Sequence, residues 1–318
     1  MNRFRSTLLA VSVLLATTPA VLAGSAEVAG RAGVIRQGVA GTTYSQELPV
    51  LARVQGTAFF RTFVSFTNNT NTSVTASFQF SYTCVAAACS PAGGFYRTTP
   101  QTIALPALGS FVQPDFIDYL NTQGLLQPGA NQGTIGTLLV TFANLPSSNG
   151  WEANVVARTY NRLVESDANQ GTVGFAYNGS LFFDSADTTL VGYGHNTEAS
   201  PTIAGKIRTN IGVRNTDING TNQNMTVDIT CFDTATGAKV GIPITFADLR
   251  PGEVRQQPLF AAAQIPSTVT NVIIFVDARN PTATSPTMEG YITLIDGQNT
   301  QDAALFTMLC ADANGCGN

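Results

Sequence analysis

The residues of this chain whose types could do chemistry are one histidine and a close pair of aspartates. His195 is the only histidine, and no G-x-S-x-G motif supplies the nucleophile of a catalytic triad. Asp115 and Asp118 form a carboxylate pair of the kind that glycosidases use. Pro114 precedes this pair at the start of a predicted short helix, where an aspartate stabilises the positive helix end. We therefore interpret His195 as a solvated turn residue and Asp115 as a helix cap, and we predict that the chain is not an enzyme.

Two groups of oxygen-bearing side chains raise the question of calcium. Alternate positions before Gly220 carry oxygen ligands, as at the start of a calcium loop, and these are Asn215, Asp217 and Asn219. The bidentate acid that should follow is replaced by Thr226. A looser group consists of Asp296, Asn299 and Asp302. Because such residues are also common in ordinary turns, we expect no metal and no other cofactor.

The five cysteines are interpreted as structural, since their spacings lack the C-x-x-C pairs of a zinc site. Cys84 and Cys89 flank a short linker, and Cys310 and Cys316 bracket the polar C-terminal tail. Local pairing within each couple leaves Cys231 alone in a predicted strand, either free or available for an intermolecular bond. The alternative pairs Cys231 with Cys310 and leaves Cys316 free.

Three aromatic residues could form a ligand platform, because a sugar ring stacks its apolar face on an aromatic side chain. Trp151 is the only tryptophan and follows a polar loop. Phe95 and Tyr96 follow the Cys84–Cys89 insertion. The competing interpretation is that all three residues pack onto the end of the domain.

The elements that must position these residues are nearly all strands. Short runs rich in Val, Ile, Thr, Phe and Tyr alternate with polar residues and are separated by Asn, Gly, Pro and Ser turns. The clearest predicted strands are 59–66, 74–82, 138–142, 155–160, 210–213, 226–232, 272–276 and 291–295. One-turn helices are predicted at 115–120 and 259–263.

One motif occurs twice in the chain. Residues 61–68 read Arg-Thr-Phe-Val-Ser-Phe-Thr-Asn, and residues 208–215 read Arg-Thr-Asn-Ile-Gly-Val-Arg-Asn. Each copy continues through a polar loop into an alternating strand. A period of about 150 residues is the size of a domain, so the repeat predicts two similar domains in tandem.

The N-terminus predicts export. Arg3 and Arg5 precede the apolar run 8–15, and a small-residue site ends at Ala23. This arrangement is typical of a cleaved signal peptide over residues 1–23. We expect the mature chain to be secreted, extracellular or on the cell surface, without membrane insertion after cleavage.

The fold class predicted from these patterns is all-β, with two tandem antiparallel immunoglobulin-like β-sandwich domains after the signal peptide. The first domain is expected to cover residues 24–184 and the second residues 185–318. The first domain includes an N-terminal extension, 24–46, for which the second copy shows no counterpart.

Charge excludes two classes of partner. Charged residues make up 11 % of the chain, the formal net charge is −4 and the isoelectric point is about 5.0. Nucleic acids and anionic membrane surfaces are bound through basic patches, so neither is expected. Polar but uncharged residues suit the exposed faces of strands.

The stretch 48–62 resembles the opening of tandem β-sandwich modules of secreted bacterial proteins. In those modules an Arg-Thr strand leads into an Asn-containing loop, and a later turn containing glycine precedes a short helix. Residues 208–215 and 249–253 repeat that pattern here. The resemblance implies an extracellular, non-catalytic, immunoglobulin-like module and assigns no activity to particular residues.

These observations favour a structural or adhesive role at the cell surface, with the chain itself, or other surface proteins, as partner. Self-assembly by β-strand addition is one form of this role, because an open sheet edge can accept a strand from another chain. The predicted donor strand lies in the N-terminal extension and contains Val34, Ile35 and Val39. The alternative is a carbohydrate-binding module that uses the aromatic residues of the first domain.

Overall fold

The computed structural model describes residues 42–55, 59–89, 91, 93–146, 152–162, 172–181, 189–198, 206–216, 224–279, 288–296 and 303–310. All of these residues belong to one compact unit. We call the described residues up to 181 the first half and those from 189 onward the second half. The predicted domain boundary, after residue 184, lies outside the described residues.

The first half is built from strands with one helix. Its strands are β1 (Thr42–Gln55), β2 (Phe59–Asn68), β3 (Val74–Cys84), β4 (Phe95–Arg97), β5 (Gln101–Leu105), β6 (Ser110–Gln113), β7 (Gly133–Leu145), β8 (Ala153–Arg162), β9 (Thr172–Asn178) and β10 (Ser180–Leu181). Helix α1 (Phe116–Thr122) and a 3-10 turn (Ala130–Gln132) connect β6 to β7.

The second half has a similar element order. Its strands are β11 (Thr189–His195), β12 (Ile207–Asn215), β13 (Met225–Asp233), β14 (Lys239–Leu249), β15 (Val254–Pro258), β16 (Asn271–Arg279), β17 (Met288–Asp296), β18 (Ala303–Thr307) and β19 (Leu309–Cys310). Helix α2 (Leu259–Ala262) connects β15 to β16.

The strands of both halves pair in the same antiparallel order. In the first half, β5, β3, β7, β1 and β10 are successive neighbours, as are β6, β2, β8 and β9. The second half has β14-β13-β16-β11-β19 and β15-β12-β17-β18. A pairing of Val54 with Phe60 joins the two sets in the first half. The predicted all-β, antiparallel class is confirmed, and each predicted strand lies within an observed one.

Alternation along the strands places one side of each sheet in a core. Val64 and Phe66 of β2 are buried between half-exposed neighbours, and Val227 and Ile229 of β13 repeat the pattern. Each half has its own hydrophobic cluster, to which both sets of strands contribute. Burying one such side chain contributes about 1.5–3 kcal/mol, so the alternation fixes which face of each strand turns inward.

The repeated Arg-Thr motif ties the first two strands of each half together. The hydroxyl of Thr62 donates to the carbonyl of Ala52 at 2.9 Å and accepts from the Ala52 N–H at 2.8 Å. Thr209 makes the same two bonds to the backbone of His195. Both threonines are buried. A buried backbone group without a hydrogen-bond partner destabilises the fold. The bonds from the two threonines therefore explain why this residue is repeated in both copies of the motif.

The asparagine that ends each copy of the motif holds a later strand. Asn68 donates from its amide to the carbonyl of Leu105 at 3.2 Å, and Asn215 donates to the carbonyl of Leu249 at 3.0 Å. Both asparagines are buried. The motif therefore specifies how the strands join, and its second copy explains the matching strand order.

Short helices lie at matching positions, as predicted. The carboxylate of Asp115 accepts from the Asp118 N–H at 3.2 Å and caps α1, which confirms the predicted cap. Helix α2 begins after Pro258 and buries Leu259 and Phe260.

The structure differs from the prediction that the N-terminal extension has no counterpart. Residues 42–46 belong to β1, which pairs with β7 with Gln46 opposite Val140. Strand β11 pairs with β16 in the same way. Gly192 and Gly194 interrupt the apolar pattern of β11, which hides this counterpart in the sequence. The predicted donor residues lie outside the described residues: Val34, Ile35 and Val39.

Replacing Thr62 or Thr209 by valine is expected to lower the free energy of unfolding by about 1–3 kcal/mol, because each change leaves buried backbone groups of the first strand without a partner. Urea unfolding measures the loss. The control is Thr102→Val on the exposed side of β5, expected to change stability by less than about 0.5 kcal/mol. Equal effects at all three positions would contradict this role.

Candidate functional site

His195 lies at the end of a strand, and none of the described carboxylates forms a hydrogen bond or ion pair with it. His195 closes β11, and its Nδ1 lies 2.6 Å from the Oδ1 of Asn271 on the neighbouring strand. The residue is half-buried, which differs from the predicted solvated turn. Asp115 and Asp118 belong to the other half, so these residues do not form a triad.

The aspartate pair forms an ion-pair cluster with two arginines. Asp115 Oδ2 lies 2.9 Å from the Nε of Arg53 and 3.6 Å from the Nε of Arg61. Asp118 Oδ1 lies 3.4 Å from Arg53 Nη2. The arginine head groups also stack on the ring of Phe59, at 5.0 and 4.5 Å from its centroid. These contacts fix α1 against β1 and β2, which is a structural use of the carboxylates.

The cysteines whose side chains the structure describes form one bridge and one buried thiol. Cys84 and Cys89 form a disulfide with Cα atoms 6.1 Å apart, as predicted. Cys231 is free and buried in β13. Two strands, β16 and β11, separate it from Cys310 on β19, a distance of about 14 Å that rules out the alternative bridge. Cys316 lies outside the described residues.

Two of the three residues of the predicted aromatic platform lie on one short strand in the described part of the chain. Phe95 and Tyr96 are successive residues of β4 and therefore face opposite sides. Tyr96 packs on the core, with its ring 5.6 Å from that of Tyr82. Phe95 lies 5.9 Å from the guanidinium carbon of Arg250. Trp151 lies outside the described residues.

The oxygen clusters that suggested calcium fall largely outside the described ranges, which omit 217–223 and 297–302. The side-chain amide of Asn215 donates to the Leu249 carbonyl, and Thr226 lies within β13. Among the described residues, no group of three or more His, Cys, Asp or Glu side chains could hold a metal ion.

A buried ion-pair cluster joins the two halves, and sequence reasoning missed it. Arg214 of β12 donates to Glu47 of β1 and, at 2.8 Å, to Glu289 of β17. Glu47 and Arg214 are both buried. The signal available in the sequence was a glutamate directly before the apolar run 48–52 and an arginine within an apolar strand.

Hydrogen bonds to backbone carbonyls and apolar contacts complete this junction. Thr137 of β7 donates to the carbonyl of Gly252 at 3.1 Å, and Arg97 donates to the carbonyl of Pro251 at 2.8 Å. A separate hydrophobic cluster contains buried residues from both halves, namely Val50, Val254 and Tyr291. The junction therefore combines charge pairing, backbone hydrogen bonds and apolar contact.

A second surface lies on the outward side of the sheet β14-β13-β16-β11-β19. We call it the apolar face, and its members are Phe232 on β13, Ile273 and Phe275 on β16, Val191 and Tyr193 on β11, and Leu309 on β19. Each member lies opposite another in the register of neighbouring strands. The side chains therefore form one continuous surface.

The apolar face is open to solvent. Tyr193, Ile273 and Leu309 are 50 %, 40 % and 49 % exposed. The rings of Phe232 and Phe275 meet edge to face at 5.6 Å. Its signal in the sequence was the unbroken apolar run 272–276, since a strand that is apolar on both sides has two faces to cover.

Polar pairs border the apolar face at both ends. At one end Thr189 donates to Asp277 at 2.9 Å, and Arg279 pairs with Asp228. At the other end the hydroxyl of Tyr193 donates to Asn271. An apolar centre within a polar rim is the arrangement of a protein–protein interface.

No family model matches the chain, and no curated protein matches it. Among solved structures, the chain is similar to the N-terminal CBM22-1-CBM22-2 tandem domain from Paenibacillus barcinonensis Xyn10C. The identity is 8 %, and the alignment covers 88 % of this chain and 95 % of that chain, with a TM-score of 0.18. A likeness at this TM-score carries no argument about function.

No helix in the described ranges has the length and apolar character needed to cross a membrane.

The junction makes stability depend on pH. Burial raises the pKa of Glu47 from its ordinary 4.5 to about 7, against the opposing effect of Arg214. Between these values the folded state holds more protons than the unfolded state, so this group makes stability fall as pH rises. Glu47→Gln is expected to remove that component, about 1–3 kcal/mol.

Urea unfolding of wild type and Glu47→Gln at pH 5.5 and pH 8 tests this expectation. The matched control is Glu198→Gln at an exposed position, which should keep the wild-type pH dependence. An unchanged pH dependence in Glu47→Gln would assign the effect to other groups.

Cys231 is expected to resist modification in the folded protein. Burial raises the pKa of its thiol to about 11, and the reactive thiolate is therefore scarce and shielded. Alkylation followed by peptide mapping should label Cys231 slowly in buffer and quickly in urea. Cys84 and Cys89 are the internal control, since their disulfide blocks labelling in both conditions. Fast labelling in buffer would contradict the buried position.

Proposed function

We propose that the chain is an exported, non-enzymatic structural or adhesive protein of the cell surface that works through protein contacts. The observation that carries this proposal is the apolar face, exposed on a sheet whose other side is buried in a core. Exposed apolar surfaces with polar rims are costly to leave in water and mark sites of protein association.

The contacts made by the charged residues support a non-enzymatic role. Asp115 caps a helix and pairs with Arg53, while Glu47 pairs with Arg214. His195 is hydrogen-bonded to Asn271, and the described residues place no carboxylate in hydrogen-bond contact with it. Among the described residues, these charged groups hold elements of the fold together, and the apolar face is exposed to solvent.

Immunoglobulin-like sandwich modules and export by a cleaved signal peptide are part of the same proposal. The matching strand orders and the two cores favour tandem modules of this kind. Strand addition by the segment that contains Val34, Ile35 and Val39 is one form of assembly. Glycan binding is less favoured, because Phe95 and Tyr96 face opposite sides of β4.

Cell fractionation and native electron microscopy test the proposal. Protein recovered from the cell surface and the medium should begin at Gly24 by mass spectrometry, and it should be found in assemblies larger than one chain or attached to other surface proteins. A chain that keeps residues 1–23 and stays inside the cell would overturn export. Discrete single particles that bind a glycan array would favour the carbohydrate-binding alternative.

A further inference from the structure

The apolar face of the second half has an equivalent in the first half. Strand pairing shows which positions of the two halves are equivalent. Leu139 of β7 lies opposite Gln79 and Glu47. Phe275 of β16 lies opposite Thr230 and Val191 in the same way. In the same register, the equivalents of Glu47, Ser81 and Thr137 are Val191, Phe232 and Ile273.

The first-half surface is already occupied, because it is the surface on which the second half docks. Glu47 receives Arg214, Thr137 bonds the carbonyl of Gly252, and Gly252 lies against Ser81. The docking element is the turn between β14 and β15 together with the end of β12. In the second half the equivalent surface is exposed, although its place in the fold is the same.

The first half carries an equivalent of that docking element. The Nδ2 of Asn68 donates to the Leu105 carbonyl as that of Asn215 donates to the Leu249 carbonyl. The backbone N–H of Asn68 donates to the Gly109 carbonyl at 2.9 Å, as that of Asn215 donates to the Glu253 carbonyl at 3.1 Å. This register makes Leu108 the equivalent of Gly252, and both have positive φ, +53° and +77°. Leu108 is 74 % exposed.

Packing within the first half does not explain why position 108 carries a leucine. A leucine at positive φ is strained, and the second half places a glycine there. An exposed leucine at the tip of a turn also buries nothing. Val112 on β6, close to this turn, is exposed as well. Both features fit a surface that is covered by a partner.

Within the chain and in a contact between two chains, the docking turn and the surface that it meets have matching chemistry. At the junction within the chain, charged Glu47 meets charged Arg214. The equivalents of these two residues are Val191 and Thr67, so both charges are absent together. An apolar face would meet an apolar turn, with no buried charge left unpaired.

We call residues 106–109, between β5 and β6, the Leu108 turn. We propose that the apolar face of the second half binds the Leu108 turn of a second copy of this chain. The contact repeats, between chains, the arrangement that joins the two halves within a chain. It is heterologous, since two different surfaces meet, and each added copy leaves one of each surface open. The chains therefore add head to tail. This inference rests on the proposed role in protein contacts and is independent of the N-terminal strand donor.

Sedimentation velocity of the mature chain over a wide range of concentrations tests the contact. Wild type is expected to form a series of dimers, trimers and longer species. Ile273→Asp removes the face and Leu108→Gly removes the turn, and each should weaken association at least about tenfold. Leu108→Gly should unfold at the same or a higher temperature, which separates lost docking from lost folding. Ile242→Asp, an exposed apolar position elsewhere, is the matched control and should associate like wild type.

Mixing the two variants gives the decisive result. Ile273→Asp keeps an intact turn and Leu108→Gly keeps an intact face, so an equimolar mixture should form dimers and nothing longer. A mixture that stays monomeric, or variants that still form long species alone, would overturn the proposal.

A deletion of residues 24–41 separates this contact from strand addition. Head-to-tail docking predicts that the deletion leaves assembly intact. Assembly that is lost in the deletion but kept in Ile273→Asp and Leu108→Gly would overturn face-to-turn docking while supporting strand addition. A wild-type chain that is monomeric at every concentration would overturn the docking proposal, while export and adhesion to other proteins would still be judged by cell fractionation.

Discussion

The buried salt bridge between Glu47 and Arg214 is the interaction on which the arrangement of the two halves depends. Removing one partner of such a pair leaves a buried charge, at a cost of about 3–5 kcal/mol. Few other arrangements of the halves would satisfy both charges, so the pair restricts how they join. The hydrogen bonds from Thr137 and Arg97 and the Val50 cluster add further contacts at the same junction.

Two copies of one strand arrangement carry different chemistry on the same surface. At three equivalent positions the first half presents Glu47, Ser81 and Thr137, and these are covered within the chain. The second half presents aromatic and aliphatic side chains, and these are open to solvent. The strand order is preserved because the repeated Thr and Asn residues bond to backbone, whereas outward side chains can change without altering the fold.

Part of the site could be predicted from sequence and part could not. The Asp115 cap and the Cys84–Cys89 bridge depend on residues close in the chain, and local rules suffice for such pairs. The Glu47–Arg214 bridge joins residues far apart in sequence, and no local pattern reports that contact. The counterpart of β1 was hidden for a related reason, since Gly192 and Gly194 weaken the alternation while the pairing of β11 with β16 holds the strand in place.

By itself, the sequence determined the all-β class, the internal repeat, most of the strands and both short helices, because period-two alternation, turn residues and caps act over a few neighbouring positions. Only the tertiary structure decided which outward faces are covered and which are open. Ile273 and Thr137 lie at equivalent positions on equivalent strands, yet one is exposed and the other is buried. The reason is that burial of an outward face depends on what packs against it, which is a property of distant segments.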